Sequence, residues 1–280
     1  MTQPSVSAAV AALSREVGAD LLEREGRGVR LTPAGTAFAP FAADVIGLLD
    51  DGRRAAREAA TSIERELRIA AVTTAAESFV PPLMQAFSKV NPGIELTLSV
   101  GNRAQVLAML ANHGADVAFG GRPPSDAHIA AYPLLANELV LITAANDPLA
   151  DGRVVSPAEL GDRTWLLREQ ESGTRTVNEE FLSIHGLKRV QGLTVGSNGA
   201  IRRAARAGLG VSFVSRDAVA LELETGQLGV IAVEHGPTPR KWQLMRASVG
   251  PVRPVVDEFI EFAVAPATIE MLQTEQTETG

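Results

Sequence analysis

From residue 67 the chain repeats one unit, a short apolar run followed by a helical stretch, and that alternation restricts the fold more than any other feature. LRIAAV (67–72) reads as a strand, AESFVPPLMQAFSKVNPG (76–93) as a helix closed by Asn91-Pro92-Gly93, and IELTLSV (94–100) as an alternating strand. NRAQVLAMLANHG (102–114) is then a helix and ADVAFG (115–120) a strand. Strand, helix, strand, helix, strand requires a parallel sheet with right-handed crossovers. Ligands of such sheets sit at the carboxyl ends of the strands. Here those ends carry Thr73, Thr74, Gly101, Asn102, Gly120 and Gly121.

Near ELVLITAANDPLA (138–150) the chain leaves this sheet, and a second block repeats the pattern. TWLLRE (164–169), LTVGS (193–197) and VSFVSR (211–216) are strands, separated by the helices SGTRTVNEEFLSIHG (172–186) and NGAIRRAARAGLG (198–210). After Pro237 and Pro239, KWQLMRAS (241–248) and RPVVDEFIEFAV (253–264) read as a return to the first block. Two α/β blocks of similar size enclose a cleft. We therefore expect a first lobe of residues 66–137 and 239–265, a second lobe of residues 138–238, and a disordered polar tail over 266–280.

Ahead of the body stands a different kind of segment. In QPSVSAAVAALSREVG (3–18), Pro4 suits a first helical turn, Thr2 and Gln3 precede it as caps, and Val6, Val10, Leu13 and Val17 recur on one face before Gly18 ends the helix. EREGRGVRLT (23–32) is a hairpin reversing at Gly26 and Gly28 and studded with Arg24, Arg27 and Arg30. Thr32-Pro33 caps and opens a long helix, whose small or apolar residues Phe38, Phe41, Val45, Leu48, Gly52, Ala55 and Ala59 alternate steps of three and four to about Ser62. That seam fits a two-helix coiled coil, with Asp44, Asp50, Asp51, Arg53, Arg54, Arg57 and Glu58 solvated. The competing reading is an amphipathic helix lying on its own domain, with the hairpin packed on the next one.

Composition narrows the function. A chain of 280 residues with 45% hydrophobic but only 4% aromatic residues builds aliphatic cores. Cysteine is absent, so neither disulfides nor thiolate chemistry enters. No apolar run is long enough to cross a bilayer and no signal peptide is evident, which predicts a cytoplasmic chain with no membrane partner. The net charge of -7 argues against a general nucleic-acid coat while leaving room for a small DNA-reading module. His113, His128, His185 and His235 lack metal-ligand spacing, and neither a glycine-rich phosphate loop with a lysine nor a Gly-x-Ser-x-Gly elbow occurs. An enzyme is not expected, nor a metal or cofactor.

The richest chemistry lies in EQESGTR (169–175). Ser172, Gly173 and Thr174 at a helix N-terminus offer amides and hydroxyls where the dipole favours an anion, and Arg175 adds a guanidinium. Ser and Thr cap helices everywhere, so a plain cap is the competing reading. Asn198, after the next strand, and Thr73-Thr74 from the first block converge on the same cleft in this topology.

The order QPSVSAAVAALSREVG, LLEREGRGVRLTPAG and a long helix closely resembles the N-terminal module of LysR-type transcriptional regulators, whose recognition helix opens with Gln-Pro-x-x-Ser and whose linker opens with Leu-Thr-Pro-x-Gly. The two-block body resembles the type 2 periplasmic-binding fold of their effector domains. The resemblance implies an α/β fold class in which a partial winged helix-turn-helix (1–35), lacking its first two helices, and a dimerising linker helix (36–65) precede a two-lobed effector domain. It also implies promoter DNA as partner, contacted by Gln3, Pro4, Ser5, Ser7, Arg27 and Arg30, and a homodimer or homotetramer. A small anionic effector is expected at Thr73, Thr74, Gly101, Asn102, Ser172, Gly173, Thr174, Arg175 and Asn198. The alternative is a solute-binding or transferase-type protein of the same two-lobed fold without DNA binding.

Overall fold

The structure, a computed structural model, describes residues 3–60, 65–125, 128–187 and 190–278. Thr2, the expected helix end near Ser62 and the last two residues of the tail lie outside them, as do the side chains of Gln3 and Pro4.

Helix α1 (Gln3–Val17) ends where Gly18 takes a left-handed φ of 76°, which lets the Gly18 and Ala19 amides both donate to the Ser14 carbonyl at 2.9 and 3.1 Å. Strands β1 (Leu22–Glu25) and β2 (Gly28–Leu31) pair antiparallel with Glu25 opposite Gly28, so Arg27 stands at the tip of the wing. Thr32 caps α2 (Pro33–Ala60): its Oγ1 accepts the Gly35 amide at 2.9 Å and donates to the Asp20 carbonyl at 2.6 Å.

Along α2 the structure assigns a role to each face. Phe41 and Val45 of the expected seam are 69% and 68% exposed, with Ile46 and Leu49 beside them. The opposite side rests on the body, and here the expected solvation is corrected for Asp44, Asp51, Arg54 and Glu58, while Arg53 and Arg57 are exposed as expected. Asp44 and Asp51 meet His113, Arg54 is nearly buried beside Asp50 and Asp51, and Glu58 pairs with Arg253. The partners of Asp44, Asp51 and Glu58 are far away in sequence, so local spacing could not reveal them, whereas Arg54 pairs within its own helix.

The first lobe begins with β3 (Arg65–Val72), α3 (Thr73–Glu77) and α4 (Val80–Val90). A single helix was expected over 76–93. The break falls at Ser78–Phe79 because Pro81 and Pro82 lack the N–H groups that would continue the preceding turn, and they fit only the first turn of α4. There follow β4 (Ile94–Gly101), α5 (Arg103–Ala111), β5 (Val117–Gly120) and β6 (Ile129–Asn137). The chain then enters the second lobe through β7 (Leu139–Ala144), β8 (Val154–Val155), β9 (Trp165–Arg168), α6 (Gly173–Ile184), β10 (Gly192–Val195), α7 (Asn198–Arg206), β11 (Ser212–Ser215), α8 (Ala220–Glu224) and β12 (Leu228–Val233). It returns along β13 (Arg240–Ala247) to α9 (Pro254–Val264) and α10 (Pro266–Glu278).

In the first lobe the sheet order is β4-β3-β5-β13-β6; β3, β4 and β5 run parallel, and β13 lies antiparallel between β5 and β6. The second lobe has β11-β7-β12-β8, extended by the parallel pair β10-β9 through a bridge from Trp165 to Val211. Each lobe buries its own core. Phe79 meets Phe119 and Trp242 at 5.7 and 5.6 Å between ring centres in the first, and Trp165 meets Phe181 at 5.7 Å in the second.

The disordered tail expected from 266 is corrected: α10 continues from α9 and packs on the first lobe, with Leu272 and Thr268 buried. Its apolar residues Ile269, Met271 and Leu272 are sparse among polar ones, and only a waiting surface makes them sufficient.

Candidate functional site

Between the lobes lies a cavity of about 340 Å³. Its first-lobe wall is the carboxyl edge of the sheet, where β3 and β4 end. Thr73 and Thr74 open α3 there, and Thr74 is buried. Gly101 ends β4 and Asn102 caps α5: its Oδ1 accepts the Gln105 amide and its own amide donates to Gln105 Oε1, both at 2.9 Å. The second-lobe wall is the start of α6. Ser172 occupies the N-cap position with extended backbone yet makes no capping bond through its side chain, although it is only 4% exposed. Ser172, Gly173 and Thr174 all line the cavity, so the positive end of α6 faces its interior.

Asn198 joins the two walls. Its Nδ2 donates to Thr74 Oγ1 across the cleft at 2.7 Å, and its Oδ1 accepts from Arg168 Nη1 at 2.5 Å. Arg168 is in turn held by Glu169, with Nε and Nη2 donating at 2.7 and 2.8 Å. Burial raises the Glu169 carboxyl, but the Arg168 guanidinium outweighs it and holds the group below its usual value.

Eight of the nine residues expected to face an effector line this cavity; Arg175 does not. Its Nε donates to Glu179 at 2.7 Å and its Nη1 to the Arg168 carbonyl at 2.8 Å, so the guanidinium is turned back along its own helix. The spacing that suggested it, one residue past the hydroxyls, places it on the flank of α6. Four other arginines line the cavity instead: Arg103, Arg122, Arg168 and Arg240. Three of these were within reach of the strand-end argument, since Arg168 ends β9, Arg103 follows Asn102 and Arg122 follows Gly121. Arg240 and Trp242, on the returning strand, carried no such signal. Trp242 Nε1 donates to Asp217 Oδ2 at 3.1 Å, and burial raises the Asp217 carboxyl despite that bond.

At the other end of the molecule, Ser5 and Ser7 on α1 and Arg27 at the wing tip are exposed. Arg30 faces Glu23 across the hairpin at 2.7 Å. Val6, Leu13 and Val17 form an apolar face of α1 that is 40–46% exposed among the described residues.

The two-lobed α/β body with its interlobe cavity is joined by a long helix to a hairpin and a further helix; such a fold hosts several functions, and the relatives decide among them. Residues 60–266 match the LysR substrate binding domain, and residues 1–36 match the bacterial regulatory helix-turn-helix protein of the lysR family. The chain belongs to the LysR family of transcriptional regulators. Over 265 residues it is 34% identical to the HTH-type transcriptional activator CmpR of Synechocystis, covering 95% of this chain and 87% of the relative. It is also 34% identical to the RuBisCO operon transcriptional regulator of Allochromatium vinosum, covering 95% and 88%. Among solved structures, the regulatory domain of Synechocystis CcmR in complex with 2-PG aligns with a TM-score of 0.66 at 28% identity, covering 72% of this chain and 96% of that one. A Corynebacterium glutamicum OxyR mutant shares the fold over 100% of this chain and 85% of its own, at a TM-score of 0.67 and 23% identity. These relatives are regulators rather than enzymes, and they leave no support for a solute-binding or transferase reading.

Proposed function

We propose that the cleft between the lobes binds a small anionic metabolite and that its occupancy controls promoter binding by α1 and the wing. One observation carries this reading: the uncapped start of α6, with Ser172, Gly173 and Thr174, opens into a cavity that also contains Arg103 and Arg168. Each charge-assisted hydrogen bond to an anion there contributes about 1.5–3 kcal/mol. Thr73, Thr74, Gly101 and Asn102 touch the same molecule from the first lobe, so it binds best with the lobes shut and favours that state. A change in lobe angle reaches the DNA-reading ends through α2, which is seated on the first lobe. Because the regulatory domain of CcmR is solved with 2-PG, that compound is the first to test. We further assign the protein to the cytoplasm and its apolar α2 stripe to pairing with a second copy.

The test is a thermal-shift screen of small anions, 2-PG and inorganic phosphate among them, on wild type and Thr174→Val. The substitution keeps the shape and removes the hydroxyl. An anion should raise the wild-type melting temperature and raise that of the variant less. Equal responses, or none from any anion, would reduce Ser172–Thr174 to a helix start without a ligand.

A further inference from the structure

The cavity has a second cationic pole, and a side chain of the protein already occupies it. Gly173, Val177 and Glu180 fall at the first, fifth and eighth positions of one α6 stripe and all line the cavity. Glu180 therefore stands about 10 Å along the helix from Gly173. Its Oε2 accepts a hydrogen bond from Arg240 Nη2 at 2.6 Å, and its Oε1 lies 3.7 Å from Arg122 Nη1. Arg122 follows β5 in the first lobe and Arg240 opens the returning strand, so a carboxylate of the second lobe bridges to both. An anionic ligand spanning the cleft would make the same contacts.

The pairing is also exchangeable. The Glu180 side chain is 40% exposed and that of Arg122 73%, so the carboxylate reaches water by rotating outward and forfeits only partly screened interactions. Arg168 at the other pole differs, because Glu169 and Asn198 hold it in a buried network.

We propose that Glu180 is an internal stand-in for the far end of the effector: Arg122 and Arg240 suit the site to molecules bearing an anionic group at each end, about two helical turns apart, and Glu180 sets the threshold that the second group must overcome. The proposal rests on the anion-site reading of the α6 start. With the cleft empty, Glu180 keeps Arg122 and Arg240 from facing each other uncompensated across the opening. A monoanion seated at the α6 start leaves that arrangement intact. A two-ended anion of sufficient length takes over Arg240 and Arg122 as Glu180 turns out, whereas a second charge beside an undisplaced Glu180 meets like-charge repulsion. Glu180 thus tunes the preference for two-ended over one-ended anions without contacting the first anionic group.

The experiment measures binding to the full chain by calorimetry and thermal shift, with suberate as a two-ended probe and its monomethyl ester as the matched one-ended probe. Inorganic phosphate reports on the α6 start alone. Glu180→Gln keeps size and an acceptor for Arg240 while removing the charge. It should strengthen suberate binding by about tenfold, the equivalent of one charge-assisted bond, and leave the monomethyl ester unchanged. Adding Arg240→Gln should abolish the gain, an outcome that a merely structural loss of the Glu180 pair would not produce. If phosphate stabilises the wild type in a Thr174-dependent manner but Glu180→Gln leaves the suberate preference where it was, or shifts both probes equally, this inference falls and the anion site stands. If no probe binds wild type or variant, both fall.

Discussion

The imidazole of His113 closes on Gly47. Its Nδ1 lies 3.1 Å from an Asp51 oxygen and its Nε2 lies 3.2 Å from an Asp44 oxygen, and a Cβ added to Gly47 would stand 2.2 Å from the ring Cγ. This seat fixes α2 to the first lobe.

Gly47→Ala is predicted to destabilise the protein despite the better helix propensity of alanine. Alanine gains about 0.5–1 kcal/mol within a helix, whereas forcing a buried ring out of a packed seat costs about 1–3 kcal/mol. Denaturant unfolding should show the net loss, and His113→Ala should convert the same substitution into a gain. A stabilised single variant would place α2 elsewhere.

Asp116 is predicted to anchor the same joint in a pH-dependent way. It accepts from Arg68 Nη2 at 2.8 Å and lies 2.7 Å from Arg253 Nη2. Burial raises its carboxyl, but the Arg68 hydrogen bond and the charges of Arg253 and Arg68 together hold it below the usual value. A folded-state value below the unfolded one gives stability that is present at neutral pH and lost as pH falls through the folded value. Asp116→Asn should cost about 1.5–3 kcal/mol at neutral pH, the worth of a hydrogen bond to a charged group, because Arg253 keeps its pair with Glu58. The deficit should narrow in acid. Unfolding curves with a constant deficit across pH would contradict this.

Asp217 has the opposite sign. Burial raises its carboxyl, so the charged form costs stability as pH rises through the folded value. Asp217→Asn retains an acceptor for Trp242 Nε1 and should raise the melting temperature at neutral pH, with the gain vanishing in acid below the ordinary aspartate range. A gain that persists in acid would mean the charge is not its origin.

Phe41 and Val45 are predicted to be pairing anchors. Serine at both positions removes about 1.5–3 kcal/mol of burial per side chain from a paired helix, while the 69% and 68% exposure of these residues leaves the single chain little affected. Light scattering should register smaller particles at unchanged thermal stability. An unchanged mass would move the interface away from this stripe.

Arg27 is predicted to contact phosphate rather than bases, since it stands at the tip of the hairpin. Arg27→Ala should weaken duplex binding similarly for all sequences and reduce the salt slope by about 0.9. Anisotropy titrations at several salt concentrations test this. A loss confined to one sequence would instead make Arg27 a base reader.

The sequence exposed those parts of the fold that depend on local pattern. Alternating apolar runs located β3, β4 and β5, and Thr32-Pro33 marked the start of α2, because period and capping act between neighbours. The same reasoning reached Ser172, Thr174 and Asn198, which sit at the starts of helices facing a cleft. It chose Arg175 over Arg168, since nothing local states which side of α6 turns inward; that depends on how Val177 and Phe181 pack beneath the helix. Likewise the charges of α2 looked solvated because His113, Asp116 and Arg253 lie far along the chain. The α10 helix depends on a surface assembled by elements distant from it.

Asn137 and Arg240 pair directly across β6 and β13, at the point where the chain goes out to the second lobe and where it comes back. The second lobe is therefore tethered by a single doorway, with its entrance and exit side by side. An insertion of this kind is replaceable as a cassette: a short turn joining the two residues would close the first lobe's sheet without disturbing its register, and a different second lobe could be spliced in at the same place. About half of the residues lining the cavity travel with the cassette, while α2 stays docked on the lobe that remains. The cavity can thus diversify while the seat of α2 is left unaltered.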